Sequence, residues 1–335
     1  MSAHSSKKSL YAALAANTGI AVAKFLGAAY TGSSAMVSEG IHSLVDTGNQ
    51  LLLLHGMKVA DKPADAEHQF GYGLQLYFYG FVVALGIFGL GAGVSFYEGY
   101  EKIMEPHPVT NAHINMIILA VSVLLEGWSL RIAFNGVKEE ARRKGRGIVD
   151  TLRRHRDPAV FAIIYEETAA IAGLLTAFVG IGLSWMLDMP VLDGVTSIMI
   201  GVILSATAFG LGRRCKTLLT GQAADPAIEI RMRELLTAVP YVDGINEVRT
   251  MQFSPTDAVA TASVDFDDDT RAGTLENLVS DIEETMIREF PELRRVTIEP
   301  QSARRHLRTL ESIGEEPDAL EPDDEDDEEE RRDDA

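Results

Sequence analysis

Three ionisable side chains fall on one face of an apolar segment near the start of the chain. Glu39, His42 and Asp46 are spaced i, i+3 and i+7, which places them on the same side of a helix. A charged side chain is costly in hydrocarbon, so such groups normally face the interior of a helix bundle. An imidazole and a carboxylate one turn apart can both bind one cation. These residues therefore predict a metal site inside a membrane.

A later apolar segment supplies a candidate second half of this site. Glu166 and Glu167 are adjacent there, so their side chains point about 100° apart on a helix and only one is expected to face the first segment. Two other charges in apolar segments, Lys24 and Glu126, are interpreted as structural. The alternative for the whole set is that the charges pair with each other, Lys24 with a glutamate for instance, and only hold the bundle together.

The segregation of apolar and charged residues indicates a membrane protein. Hydrophobic residues make up 46% and charged residues 24% of the 335-residue chain, as in an average soluble protein. Residues 71–97, 168–187 and 194–212 nevertheless contain no charged side chain, and a helix needs roughly 20 apolar residues to cross a bilayer. Six membrane-spanning helices are predicted, at about 10–31, 34–57, 76–99, 111–133, 159–187 and 192–212.

Basic residues are distributed unevenly between alternate loops. The fourth-to-fifth loop is rich in arginine and lysine, whereas the predicted outer loops contribute only Lys102. Positive residues favour the cytoplasmic side, so a multi-pass protein of the cell membrane with both termini in the cytoplasm is expected. The N-terminal apolar stretch lacks the cleavage site of a signal peptide. The single cysteine, Cys215, excludes an intramolecular disulfide.

Three domains are predicted: a six-span domain at 1–215, a small cytoplasmic α+β domain at 216–302, and an acidic disordered tail at 303–335. Within the second, helix, strand, strand, helix and strand follow one another, which suits a small sheet with helices on one face. In the third, 14 of the 21 residues from 315 to 335 are Asp or Glu. Such a block repels itself and is interpreted as a solvating segment, with a metal-collecting tail as the alternative.

The net charge of −19, with 21 arginines and only 9 lysines, favours adaptation to high salt. A halophilic prokaryote is the expected source. A chain of this charge is not expected to bind nucleic acid.

Two stretches closely resemble signatures of the cation diffusion facilitator family. Residues 31–46 read Thr-Gly-Ser-Ser-Ala-Met-Val-Ser-Glu-Gly-Ile-His-Ser-Leu-Val-Asp and are similar to its first-to-second span signature. Residues 65–73 read Asp-Ala-Glu-His-Gln-Phe-Gly-Tyr-Gly and are similar to its following loop. The resemblance extends over about residues 9–300. Residues 157–170 look like the divergent branch that includes a mitochondrial zinc transporter of animals.

The resemblance implies a homodimer that exchanges a cytoplasmic divalent metal for protons, with a ferredoxin-like cytoplasmic domain as its dimerisation module. It also implies a transport site built from a pair of residues on span two and another on span five. His42 and Asp46 match the first pair. The second pair usually reads His-x-x-x-Asp, and the matching positions here are Ile163 and Glu167, with Glu166 as an alternative ligand.

The resemblance further implies a metal site in the loop after span two, where the family usually has one Asp and two His. Asp65 and His68 match this set, but the third position is Tyr72. The loop site is therefore expected to be weak or absent. The cytoplasmic domain has no histidine between residues 216 and 300, so the family's metal cluster there is expected to be missing.

These observations together predict a proton-coupled secondary transporter for the efflux of divalent transition metals across the lipid bilayer, with Zn²⁺ as the first candidate. One imidazole with two or three carboxylates also suits Mn²⁺, Fe²⁺ or Co²⁺. A non-transporting metal sensor or scaffold of the same fold is the alternative. An enzyme is not expected, because the sequence has neither a His-Glu-x-x-His motif nor a glycine-rich phosphate loop.

Overall fold

Long helices form the first two thirds of the chain. The computed structural model describes residues 3–107, 111–143 and 145–315. The helices are α1 (Ala3–Thr31), α2 (Ser34–Ala60), α3 (Leu74–Gly86), α4 (Gly93–Met104), α5 (Ala112–Arg143), α6 (Ile148–Arg154), α7 (Pro158–Leu187) and α8 (Val191–Leu219). A π-helical stretch, Ile87–Ala92, joins α3 to α4, so that Leu74–Met104 runs as one helix.

Four helices of the described chain are long and apolar enough to cross a membrane: Leu74–Met104, α5, α7 and α8. They contain the last four of the predicted spans. The first two predicted spans, 10–31 and 34–57, coincide with helices α1 and α2. The total of six membrane crossings stays a prediction.

Side-chain caps fix where the two helices with the predicted site begin. At the start of α2, Ser33 Oγ accepts a hydrogen bond from the backbone NH of Met36 at 3.3 Å. At the start of α7, the Asp157 carboxylate accepts one from Ala159 at 2.9 Å, and Pro158 occupies the first turn. Both arrangements are favourable helix starts. The rotation of each helix, and hence the face that presents the ionisable side chains, follows from these starts and from packing.

The helical part buries its apolar core between α2, Leu74–Met104, α7 and α8, with Tyr77, Phe161, Leu174 and Leu204 fully enclosed. Large apolar side chains also lie on the outside, among them Leu124, which is 73% exposed. Exposed apolar surface of this extent marks a protein or membrane contact, and on long apolar helices it fits the hydrocarbon of a bilayer.

A small α/β part follows the helices. It consists of α9 (Pro226–Thr237), β1 (Val242–Gln252), β2 (Ala258–Phe266), α10 (Ala272–Glu289), β3 (Leu293–Pro300) and α11 (Ala303–Ile313). The sheet has the order β1-β2-β3, with β1 antiparallel and β3 parallel to β2. Met232, Val264, Met286 and Ile298 lie in its core. The predicted succession of helix, two strands, helix and strand is found.

One segment differs from the prediction. The disordered tail was expected to begin at residue 303, but the structure has helix α11 over Ala303–Ile313. The reason is that His306 and Leu310, one turn apart, are both buried where α11 packs on β1 and β2. Residues 316–335, which carry most of the acidic block, lie outside the described residues.

The chain divides into two compact units. Among the described residues, the first comprises those up to position 222 together with 253–255, and the second comprises 223–252 and 256–315. All the predicted metal ligands belong to the first unit.

Candidate metal site

His42 and Asp46 lie together on the buried face of α2. His42 Nδ1 is 3.5 Å from Asp46 Oδ1, and the two residues are 1% and 7% exposed. Neither ring nitrogen of His42, nor Asp46 Oδ1, has a hydrogen-bond partner among the described residues. Leaving a buried polar atom unpaired typically costs about 1–3 kcal/mol. These three atoms are therefore suited to bind a cation that enters between the helices.

Glu166 on α7 faces the same helix. Its Oε1 accepts a hydrogen bond from Asn49 Nδ2 at 2.8 Å, and Asn49 follows Asp46 by three residues on α2. The carboxylate thus lies on the side of α7 that packs against α2. Of the two adjacent glutamates, Glu166 is the one directed towards the helix that carries the imidazole.

Glu167 faces α5 instead. Its Oε1 accepts a hydrogen bond from Ser129 Oγ at 2.5 Å, and the charge of Glu126, also on α5, acts on its carboxyl group. Glu167 Oε2 has no partner among the described residues. Glu126 and Glu167 thus place two further carboxyl groups next to the site.

The carboxyl groups of α2, α5 and α7 are close enough to act on each other. Among the described residues, Asp46 experiences the charges of Glu166, Glu126 and Glu167 and the opposing charge of Lys24. Coulombic attraction is stronger in the low-dielectric interior of a helix bundle than in water. The cluster therefore favours a cation over an anion or a neutral solute.

Glu39, the third predicted residue on α2, is already engaged. Its Oε2 accepts a hydrogen bond from Lys24 Nζ at 3.0 Å, and both side chains are fully buried. A Cβ at Gly173 of α7 would lie 2.5 Å from Glu39 Oε1, so glycine leaves the space that this carboxylate occupies. The structure pairs Lys24 with a glutamate, as the alternative interpretation expected.

The described residues contain no group of three His, Cys, Asp or Glu side chains in a metal-binding arrangement. The structure brings His42 to Asp46 and turns Glu166 towards α2, while Glu167 is turned towards α5. Binding of one ion by three of these groups therefore requires a movement of α7 or of its side chains relative to α2.

The predicted loop site is a hydrogen-bonded turn. Asp65 accepts hydrogen bonds from the backbone NH groups of Glu67 and His68, at 3.0 and 2.7 Å, and from Tyr72 Oη at 2.8 Å. These bonds, above all the one from His68, lower the pKa of Asp65. The ring of His68 stacks on that of Tyr72 with centroids 4.0 Å apart. Tyr72 thus occupies one of the carboxylate oxygens that a metal would use, and the weak or absent loop site stays a prediction.

Several polar residues around the site were missed from the sequence. Asn49 and Ser129 hold the two glutamates of α7. Asn49 could have been found by extending the periodicity of His42 and Asp46 by one turn. Ser129 carries no comparable signal, because its role depends on how α5 packs against α7.

Comparison with known proteins decides the family. The profile of the cation efflux transmembrane domain matches residues 10–220. This chain belongs to the cation efflux family. The predicted family is thus confirmed, and the chain is a multi-pass membrane protein of a transporter family and not an enzyme.

Three relatives illustrate the range of similarity. The chain is 32% identical over 300 residues to the proton-coupled zinc antiporter SLC30A9, mitochondrial, of Homo sapiens, over 89% of this chain and 52% of the relative. It is 30% identical over 241 residues to metal tolerance protein C4 of Arabidopsis thaliana, over 72% and 53%. It is 24% identical over 264 residues to the cation-efflux pump FieF of Escherichia coli O1:K1, over 78% and 81%. The chain spans about half the length of the first two.

Proposed function

We propose that this protein is a proton-coupled secondary transporter that exports divalent transition-metal cations, with Zn²⁺ as its main substrate. The observation that carries the proposal is the buried pair of His42 and Asp46, whose unpartnered atoms face a group of carboxyl side chains. The pair lies inside the matched cation efflux domain. The names of two relatives, a proton-coupled zinc antiporter and a cation-efflux pump, support the same activity.

The proposed ligands of the transported ion are His42, Asp46 and Glu166. Glu167 is the candidate for a fourth ligand. Zn²⁺ favours four ligands and accepts imidazole nitrogen together with carboxylate oxygen. Mn²⁺, Fe²⁺ and Co²⁺ are the competing substrates, because an oxygen-rich set suits them as well.

Proton coupling follows from the chemistry of these ligands. An imidazole and a carboxylate must be free of protons before they bind a metal, so metal entry releases protons and proton entry releases the metal. The neighbouring carboxyl groups of Glu126 and Glu167, whose charges act on each other, are the proposed further proton carriers. The site is then accessible alternately from the two sides of the membrane.

The proposal includes the architecture expected from the sequence. Six helices cross the cell membrane, both termini lie in the cytoplasm, and two copies assemble through the domain of residues 216–302. The positively charged loop between α5 and α7 supports this orientation. The halophilic prokaryotic source stays a prediction.

The test is metal uptake into proteoliposomes that hold a fluorescent indicator, with Zn²⁺, Mn²⁺, Fe²⁺ and Co²⁺ compared with and without a pH gradient. Asp46→Asn should lower the initial rate about 100-fold or more, because loss of even a hydrogen-bond partner of a metal ligand costs about 10–100-fold. Asp188→Asn is the matched control. Asp188 is exposed at the end of α7 with φ 50°, a conformation that asparagine tolerates.

Two outcomes would contradict the proposal in different ways. Transport by Asp46→Asn at the wild-type rate would show that the site lies elsewhere. No uptake of any metal by the folded wild-type protein would favour the metal sensor or scaffold.

A further inference from the structure

A basic cavity lies between the neighbouring ends of α6, α7 and α8. It has a volume of about 350 Å³ and is lined by four arginines, Arg153, Arg154, Arg213 and Arg214, together with His155 and Tyr165. No Asp or Glu is among the described residues of its lining. A cavity with this lining is suited to an anion.

Arg214 forms a part of the cavity wall that hydrogen bonds hold in place. It donates hydrogen bonds to the carbonyl oxygens of Leu152, Arg153 and His155, the last two at 3.1 and 2.8 Å. Its guanidinium also lies 4.3 Å from the centroid of the Phe161 ring. These contacts tie the end of α6 to α8, so Arg214 is a structural member of the wall.

Arg153 and Arg213 are the members available to a ligand. Both are exposed, and neither has an ion pair with a carboxylate within the described parts of the chain. Arg154 differs, because its Nε is 2.8 Å from Asp150 Oδ1. A guanidinium binds phosphate oxygens through two parallel N–H donors, so two free arginines on one cavity favour a phosphate group.

The cavity extends along α7 from the helix ends to Tyr165. Tyr165 lies seven residues after Pro158, about 10 Å along the helix axis, a distance comparable to the polar region of each bilayer face, which is about 5–8 Å deep. A Cβ at Gly210 would lie 2.9 Å from Tyr165 Cε1, so the glycine lets the phenol ring lie against α8. Tyrosine at this depth is typical of a membrane interface.

An exposed apolar track runs along α8 towards the end that carries the cavity. Val195, Val202 and Phe209 are spaced by seven residues and therefore share one face. They are 40%, 56% and 73% exposed, and Phe209 directly precedes Gly210, a residue of the cavity lining. The acyl chain of a lipid can pack on such a surface, whereas a free phosphate ion cannot.

We propose that this cavity binds the phosphate group of an anionic phospholipid whose acyl chain follows this track. Basic pockets between membrane helices on the cytoplasmic side bind anionic headgroups through the same chemistry. None of the proposed metal ligands lines the cavity, and lipid binding can be measured without transport activity.

The test is lipid binding to the full chain, measured by native mass spectrometry in a zwitterionic detergent during titration with phosphatidylglycerol or phosphatidylcholine. Arg153→Gln/Arg213→Gln should weaken phosphatidylglycerol binding about 30-fold, the usual effect of two basic side chains near an anionic surface. Arg142→Gln/Arg143→Gln is the matched control. It removes the same charge from two exposed arginines at the end of α5 and should change the affinity less than about three-fold.

The expected pattern is selective binding of phosphatidylglycerol that an excess of inorganic phosphate does not displace. Equal weakening by both double variants would overturn the proposal, because a general surface charge would then explain the binding. Equal binding of the two lipids would overturn it as well. Displacement by inorganic phosphate would assign the cavity to a free anion and not to a lipid.

Discussion

Two opposite charges are completely buried where α1 meets α2. Lys24 Nζ is 3.0 Å from Glu39 Oε2 and 2.8 Å from Ser43 Oγ, and neither charged side chain is exposed. Such a pair contributes little net stability compared with apolar residues, but the loss of one partner leaves the other charge uncompensated. A substitution that removes one of the two charges therefore leaves an unpaired charge inside the helix bundle, next to the metal site.

Lys24→Met should lower the free energy of unfolding by about 3–5 kcal/mol, because Glu39 is then buried without a counter-charge. The double variant Lys24→Met/Glu39→Gln should recover most of the loss, since both charges are gone. Thermal unfolding of the detergent-solubilised protein, followed by intrinsic fluorescence, measures both.

The control is Lys58→Met, which removes an exposed lysine near the end of α2 and should leave the unfolding temperature within about 1–2 °C of the wild type. A double variant that is no more stable than Lys24→Met would show that the ion pair is not the source of the effect.

At the scale of elements, a polar network fastens the turn between α1 and α2 to two other helices. Asp193, in the first turn of α8, accepts hydrogen bonds from Ser33 Oγ at 2.7 Å and from the backbone NH of Ser34 at 2.8 Å. Lys102 at the end of α4 donates to the carbonyl oxygen of Gly32 at 2.6 Å and lies 3.8 Å from Asp193 Oδ2. The start of α2, and with it the position of the metal site, depends on this network.

Asp193→Ala should destabilise the protein by about 3 kcal/mol or more, because several buried donors lose their acceptor at once. Asp193→Asn should cost less, since its amide oxygen still accepts one or two of these hydrogen bonds. The unfolding temperatures of the two variants show which substitution destabilises the protein more. The exposed Asp188→Asn is the control. Equal unfolding temperatures for Asp193→Ala and the control would contradict a structural role of the network.

The helices themselves could largely be predicted, because each has a long apolar run bounded by a cap or a turn. The π-helical stretch Ile87–Ala92 could not, since Gly89 and Gly91 weaken the local preference for a regular α-helix. Helix α11 was missed because its two buried residues, His306 and Leu310, lie in a segment rich in charged residues, namely Arg304, Arg305, Arg308 and Glu311.

The candidate site could be predicted within one helix but not between helices. The spacing of His42 and Asp46 fixes their shared face, whatever α2 packs against. The choice between Glu166 and Glu167 depends on the rotation of α7, which tertiary contacts decide. Asp193 was overlooked for a similar reason: an acidic residue in a first turn is expected to interact with the helix dipole, and nothing local indicates a partner 160 residues away.

At the scale of the whole molecule, charge is the dominant feature. Each chain of 36.5 kDa carries a net charge of −19. Residues 316–335 contain 13 carboxylates and two arginines, so the chain without them has a net charge of −8. Two copies in the proposed dimer are therefore expected to repel each other, and more than half of the net charge belongs to residues 316–335.

The dimer should consequently depend on ionic strength. The screening length falls from about 30 Å at 0.01 M salt to about 8 Å at 0.15 M, so the fraction of dimer in detergent should rise with salt. Light scattering coupled to size exclusion measures this fraction against the protomer mass of 36.5 kDa. A chain that ends at Glu315 is the control, and its dimer should persist at low salt because it carries less than half the charge. A monomer for both chains at every salt concentration would contradict the homodimer, whereas an identical salt response of the two would show that the repulsion arises elsewhere in the molecule.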